Sequence, residues 1–127
     1  MALYAQTSGT HQTDSANWTA IPGLTLTIPE GVGSAALIIL NAPMPYATGN
    51  SNPGGNFGVS VGGAISTVVA SFTYNETQPT SYGRVPTTLV LSVPLGPKPQ
   101  TITAMWSNVR GSTVIIDSPT TLSAILD

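Results

Sequence analysis

The stretch Leu24-Thr25-Leu26-Thr27-Ile28, LTLTI, alternates strictly between apolar and hydroxyl side chains. Successive side chains of a β-strand point to opposite faces, so Leu24, Leu26 and Ile28 share one face and Thr25 and Thr27 the other. Pro22-Gly23 and Pro29-Glu30-Gly31 bracket the run with turn-forming residues. No helix shows this period, and the rest of the chain repeats the theme. FGVSV at Phe57–Val61 alternates in the same way. STVVASFTY at Ser66–Tyr74, TTLVLSV at Thr87–Val93, TITAMW at Thr101–Trp106, STVIID at Ser112–Asp117 and TLSAIL at Thr121–Leu126 are short runs rich in Thr, Val and Ile. A further strand is expected around Asn17–Ile21. Gly, Pro and β-branched residues interrupt every candidate helix. The expectation is a single all-β domain over residues 1–127, with about eight or nine strands arranged as a β-sandwich or jelly roll.

AALIILN at Ala35–Asn41 differs from its neighbours because it is apolar on both faces. A strand in a two-layer antiparallel sandwich normally shows one polar face to solvent. Such a strand needs cover on both sides, from a loop or from another subunit, and the scarcity of charge favours the subunit. The loops PYATGNSNPGG (Pro45–Gly55) and PLGPKPQ (Pro94–Gln100) are dense in turn residues, and the second is stiffened by three prolines.

Composition narrows the function. Of 127 residues, 41% are hydrophobic and 6% charged, and the net charge is -2, which gives no electrostatic footprint for nucleic acid or for an anionic membrane. There is no cysteine, so disulfides, thiol catalysis and cysteine-based zinc sites are excluded. The longest apolar run is too short to span a bilayer, and no membrane insertion is expected. MALYAQTSGTHQTDS has neither the basic nor the apolar region of a signal peptide. Asp14, Glu30, Glu76, Asp117 and Asp127 show no metal-ligand spacing, and the single histidine, His11, lies in a polar stretch where solvation is expected. Neither a metal nor a cofactor is expected, and nothing marks a catalytic constellation.

Binding chemistry is better supplied. A planar guanidinium reaches two hydroxyls at once, a tyrosine offers an apolar ring with a polar tip, and Ser, Thr and Asn add adaptable donors and acceptors. Arg84, in SYGR beside Tyr82, and Arg110, in NVRGS, both have hydroxyl neighbours and no acidic residue within two positions. Either could instead be a surface arginine or half of an ion pair, for example with Asp117. A regular strand from Arg110 to Asp117 would be about 23 Å long at roughly 3.3 Å per residue. Arg110 and Asp117 therefore cannot pair along one strand, and each must find its partner on another strand or another chain.

IPGLTL (Ile21–Leu26), ILNAPMPYATGN (Ile39–Asn50), FTY (Phe72–Tyr74), the GR of SYGRVP (Gly83-Arg84) and VRGSTVIIDSPTTLSAI (Val109–Ile125) occur in this order across nearly the whole chain. In these stretches the chain resembles the TNF-like, fucose-binding N-terminal lectin domain of two-domain superlectins from Burkholderia. The resemblance implies a TNF-like jelly-roll β-sandwich assembled as a homotrimer. It implies a non-enzymatic, calcium-independent lectin for fucosylated glycans of the histo-blood-group type, bound between protomers, and an extracellular or bacterial cell-surface location. By position, it implies that Tyr46, Thr73, Tyr74, Ser81, Arg84, Arg110 and Ser118 line the sugar site, with Asp117 orienting one edge. Thr73, Ser81 and Ser118 read equally well as turn or sheet-edge hydroxyls when taken without the resemblance.

The chain departs from the family pattern at three places. Asn56 stands where an aromatic is expected, Tyr82 where a small hydroxyl residue is expected, and Ser107 where a lysine is expected. Tyr82 thus joins the candidate site residues as a gained aromatic. These departures bear on the adjoining sugars rather than on the fucose core. The second lectin domain is expected to be absent from a chain that ends at Asp127. The readings from other classes are a structural or adhesive jelly-roll trimer without a sugar site and, on fold alone, a cytokine-like receptor ligand.

Overall fold

Alternation along the chain becomes burial on one side of most strands. A computed structural model describes all residues, Met1–Asp127, as twelve strands with no helix. They are β1 (Ala2–Gln6), β2 (His11–Thr13), β3 (Thr19–Ile28), β4 (Ala35–Ala42), β5 (Tyr46–Thr48), β6 (Gly54–Val61), β7 (Ala64–Ile65), β8 (Ala70–Thr73), β9 (Thr87–Pro94), β10 (Gln100–Val109), β11 (Thr113–Ile116) and β12 (Thr121–Leu126). One sheet runs β1-β12-β4-β9. A second runs β3-β10-β6-β7, with β8 also paired to β6. A three-stranded sheet, β2-β11-β5, completes the sandwich. Every pairing is antiparallel.

The inward residues form one core of 22 buried side chains. Leu24, Leu26 and Ile28 of β3 lie on its wall, as the LTLTI alternation requires, in the same cluster as Ile38 and Leu40 of β4 and Leu122 of β12. Trp106 and Phe57 are the largest fully buried side chains, with ring centroids 6.5 Å apart, and Phe72 stacks on Phe57 at 6.4 Å. The small sheet contributes Ala47, Val114 and Ile116 to this core. Full burial of each large aliphatic side chain contributes about 1.5–3 kcal/mol.

The structure corrects the sequence reading at several strands. Pro22-Gly23 does not begin a new strand but sits inside β3. There the register on β10 jumps from Thr103↔Thr25 to Met105↔Ala20, and Gly23 adopts φ +83°. The extra residues form a bulge, which tolerates proline's missing N–H and uses glycine's access to positive φ. The run read as one strand over Ser66–Tyr74 is broken: β7 and β8 pair with opposite ends of β6, and residues 66–69 leave the ladder. Ser66 Oγ accepts from Val59 N at 3.4 Å and donates to Val68 O at 2.8 Å. A side-chain hydroxyl thus replaces ladder bonds locally. β1, β2 and β5 fall in stretches read as polar or loop. His11 is half-buried on β2, with Nε2 2.8 Å from the Ser8 carbonyl oxygen, and is not simply solvated.

β4 resolves the two-faced run. Ala36, Ile38, Leu40 and Ala42 point inward, and Leu37, 40% exposed, points out. On that outer face Ile39 pairs with Val90 of β9, Leu37 pairs with Ile125 of β12, and Tyr4 of β1 lies nearby, opposite Ser123. Tyr4, Val90 and Ile125 are 60%, 50% and 47% exposed. No loop of the chain covers this apolar face.

Candidate functional site

The candidate residues converge on the β11-β5 side of the sandwich. β5 follows the tripeptide Pro43-Met44-Pro45, and its register sets Tyr46 opposite Ile115 and Thr48 opposite Thr113. Tyr46 therefore lies toward the end of β11 that runs into Asp117 and Ser118. Arg84 comes to the same place from the loop before β9, held by the bond from Val85 N to Pro45 O at 2.9 Å. Its guanidinium is fixed on three sides. Nη1 and Nη2 donate to the two carboxylate oxygens of Asp117 at 2.6 and 3.0 Å, Nη1 also donates to Met44 O at 3.2 Å, and the carbon of the fork lies 4.2 Å from the centre of the Tyr46 ring. This is a bidentate ion pair stacked on an aromatic face, the geometry that distinguishes arginine from lysine. The hydrogen bonds from Arg84 hold the Asp117 carboxyl below its ordinary range, and the same bonds raise Arg84. The pair leaves Arg84 Nε–H and one N–H of Nη2 for a ligand.

Tyr74 organises the neighbouring part of the site. It follows β8, accepts at its hydroxyl from Ala47 N at 3.3 Å, and donates to Gly83 O at 2.6 Å, which anchors the Gly83-Arg84 turn on β5. Burial pushes its phenol up from the ordinary tyrosine value. Its ring meets Phe72 on one side and Tyr82 on the other in edge-on contacts, with centroids 6.0 and 6.2 Å apart. Tyr82 is 38% exposed, Thr73 is exposed at the end of β8, and Ser81 is exposed in the loop. Ser118 donates to the Met44 sulfur at 3.5 Å.

Arg110 stands at the other end of β11, in the turn Val109-Arg110-Gly111-Ser112. Arg110 and Gly111 have φ of 50° and 71°, and Ser112 N closes the turn onto Val109 O at 3.1 Å. Arg110 Nε donates to Ser51 O at 2.8 Å and Nη2 to Asn52 O at 2.7 Å. Asn52 in turn donates from Nδ2 to Tyr74 O at 3.2 Å. Nη1 of Arg110 keeps its N–H groups for another acceptor.

One chain therefore does not bring the two arginines together. Tyr46, Arg84, Asp117 and Ser118 form one cluster, Arg110 belongs to another, and Tyr74 lies between them. The ion-pair alternative holds for Arg84, which takes Asp117, and not for Arg110. The sequence reading missed Met44, Ser51, Asn52 and Gly83, which act largely through backbone carbonyls that every residue carries. Asn56, standing where the family pattern has an aromatic, is fully engaged: it accepts from Ser71 at 2.7 Å and donates to Ser107 at 3.1 Å. Ser107, another of the three departures, is thus a partner of Asn56.

The single marked cavity, about 300 Å³, lies elsewhere, between β9 and residues 66–68, and is lined by Val61, Val68, Leu91 and Val93. It holds none of the candidate residues. Hydroxyl recognition needs donors rather than an apolar cleft, so the rim that carries the arginines is the candidate site. No three His, Asp or Glu side chains come together as a metal cage, and no helix is long and apolar enough to cross a membrane.

The chain is an antiparallel jelly roll of the TNF-like fold class, with an open rim of arginines, tyrosines and hydroxyls. The chain belongs to the family of the Bc2l-C N-terminal domain, whose model matches residues 4–125. Bc2l-C is a Burkholderia lectin, so the chain is a non-catalytic domain of a carbohydrate-binding family. Among solved structures, the Eiger TNF of S. frugiperda is similar, with a TM-score of 0.55 and 8% identity over 99% of this chain and 92% of that one. The CBM36-1 domain of a multidomain xylanase from the hindgut metagenome of Trinervitermes trinervoides is similar too, with a TM-score of 0.50 and 15% identity over 100% and 98% of the two chains. At these identities the likeness speaks for the fold. No curated protein sequence matches the chain.

Proposed function

We propose that the chain is a calcium-independent lectin for L-fucose-containing glycans, of the histo-blood-group type. Its site is completed between protomers of a homotrimer. The observation that carries this reading is the division of the arginines. Each guanidinium is fixed by acceptors of its own chain and still offers N–H groups outward, but the two lie at opposite ends of β11. A second copy that sets its Arg110 turn beside the Arg84 cluster supplies the missing half. The uncovered apolar face of β1-β12-β4-β9 supports the assembly, because a closed cyclic oligomer buries the same patch on every copy.

Within the completed site, Arg84 and Arg110 donate to sugar hydroxyls, and Ser118, Ser81 and Thr73 add hydroxyl partners. Tyr46, Tyr74 and Tyr82 supply aromatic surface. Asp117 orients Arg84 and accepts from a hydroxyl. Calcium independence is supported by the commitments of the carboxylates: Asp117 is taken up by Arg84, and Asp127 by Ser34 and Ala35. An extracellular or bacterial cell-surface location goes with this reading.

A glycan array, followed by calorimetry with methyl α-L-fucoside in the presence and absence of chelator, tests the proposal. Binding confined to fucosylated glycans and unaffected by chelator is expected. An array without signal from a protein that is trimeric in solution would favour the structural or adhesive reading, for which the apolar face is the supporting observation.

A further inference from the structure

We infer that Met44 is the residue that reads position 6 of the bound sugar, selecting a methyl group over a hydroxymethyl group. This inference rests on the fucose-binding reading of the same site. Met44 lies between Pro43 and Pro45. Proline fixes its own φ, and the residue before a proline is held to extended backbone, so the tripeptide presents the side chain stiffly. Both ends of Met44 touch the candidate site. Its carbonyl accepts from Arg84 Nη1 at 3.2 Å, and its sulfur accepts from Ser118 Oγ at 3.5 Å. A thioether is a weak acceptor, so Ser118 exchanges this partner readily for a sugar oxygen, and the thioether then stands bare beside it.

Part of the aromatic surface of the site is taken up by the chain's own contacts. The Tyr46 ring has the Arg84 guanidinium 4.2 Å from its centre, and Tyr74 is wedged between Phe72 and Tyr82. Met44 is 45% exposed. A sugar whose hydroxyls engage Arg84 and Ser118 meets the Met44 side chain between them. A 6-deoxy sugar places its single methyl against apolar surface without desolvating a hydroxyl. Its 6-hydroxylated counterpart, L-galactose, has the same ring configuration but must bury a hydroxyl against sulfur and carbon.

The test compares methyl α-L-fucoside with methyl α-L-galactoside by calorimetry on the wild type, Met44→Leu and Met44→Gln, with melting temperatures recorded. The wild type should favour the fucoside. Met44→Gln keeps the length but offers an amide, and should lower the fucoside-to-galactoside affinity ratio about fourfold, the value of one buried methyl-sized group. Met44→Leu should keep the ratio. An unchanged ratio in Met44→Gln, an equal loss for both sugars, or the same fall in Met44→Leu would overturn the assignment. A wild type that binds neither sugar would instead overturn the fucose reading itself.

Discussion

Arg110 and Asn52 are the two non-glycine residues with left-handed backbones, at φ 50° and 49°, and the guanidinium of one donates to the carbonyl of the other at 2.7 Å. The left-handed region costs a residue such as arginine about 1–2 kcal/mol, whereas asparagine tolerates it, so the contact ties the strained Arg110 turn to an Asn52 turn that carries little strain. Arg110→Gly separates conformation from chemistry, because glycine takes positive φ without steric cost. Arg110→Gly should melt within about 5 °C of the wild type and above Arg110→Ala, which keeps the strain and loses the bonds. Both variants should lose sugar affinity roughly tenfold to a hundredfold, the worth of a charge-assisted bond. Thermal melts and calorimetry on the pair check this. Intact binding in Arg110→Gly would remove Arg110 from the site.

Arg84 tests the planar fork. Lysine keeps the charge but cannot hold both Asp117 oxygens and lie flat on Tyr46. The pair is solvent-exposed, so its loss should leave the melting temperature nearly unchanged. Fucoside affinity should fall at least about tenfold in Arg84→Lys. A large drop in melting temperature without loss of affinity would make the pair purely structural.

Asp117 makes binding depend on pH in one direction. Arg84 holds its carboxyl below the ordinary carboxylate value, so the folded state binds its proton less readily than the unfolded chain. The linked stability is complete above the ordinary value near 4 and is lost as pH falls through the lowered value. Protonation also frees Arg84 from its orienting partner. Fucoside binding should be flat from pH 7 to about 5 and fall only at more acid values, while Asp117→Asn should be weak throughout and show no such fall. Calorimetry across this range checks it. An Asp117→Asn variant with the wild-type acid profile would exclude Asp117 as the titrating group.

Much of this architecture can be read from side-chain pattern. The alternation of LTLTI fixes which face of β3 enters the core, and TLSAIL coincides with β12 at both ends. β1, β2 and β5 cannot be read that way, because edge strands and short strands carry polar residues and are defined by ladder bonds that the sequence does not display. The site divides similarly. Arg84 and Arg110 stand out in a chain with three basic residues. The partners that orient them are mostly carbonyls of Met44, Ser51 and Asn52, placed by β5 pairing and by positive-φ turns. Strand length already separates Asp117 from Arg110, but that Asp117 takes Arg84 follows only from the β11-β5 pairing and the loop bond from Val85 N to Pro45 O.

The apolar outer face gives a test of assembly. Val90 is 50% exposed and pairs with Ile39 at its centre. A glutamate there touches no core residue, so each chain should keep its strand content by circular dichroism. Placing three buried like charges at a closed interface should shift the protein from trimer to monomer in light scattering and reduce fucoside affinity by more than tenfold. A Val90→Glu variant that remains trimeric would remove this face from the interface. A monomer with unchanged affinity would place the whole site within one chain.

Gly54 is where the fold and the site meet most tightly. It opens β6, pairs with Thr73, and would drive an added Cβ into the Phe72 carbonyl oxygen and to 2.8 Å from the Thr73 Cα. These are backbone atoms and cannot swing aside, so Gly54→Ala must push β8 outward. β8 carries Thr73 and leads into Tyr74, whose N–H donates to Pro53 O at 2.9 Å and whose hydroxyl anchors the Arg84 turn. Overpacking of this kind costs about 1–3 kcal/mol, a fall in melting temperature of roughly 3–12 °C, and it should carry the fucoside affinity down with it. Gly58, four residues along the same strand, is the control. An added Cβ there meets the Trp18 ring at 3.2 Å, a half-buried side chain on the outer face that can yield. Gly58→Ala should therefore melt closer to the wild type and bind fucoside unchanged. If the two alanine variants lose affinity equally, the close approach of β6 and β8 at Gly54 is not what sets the position of Thr73 and Tyr74.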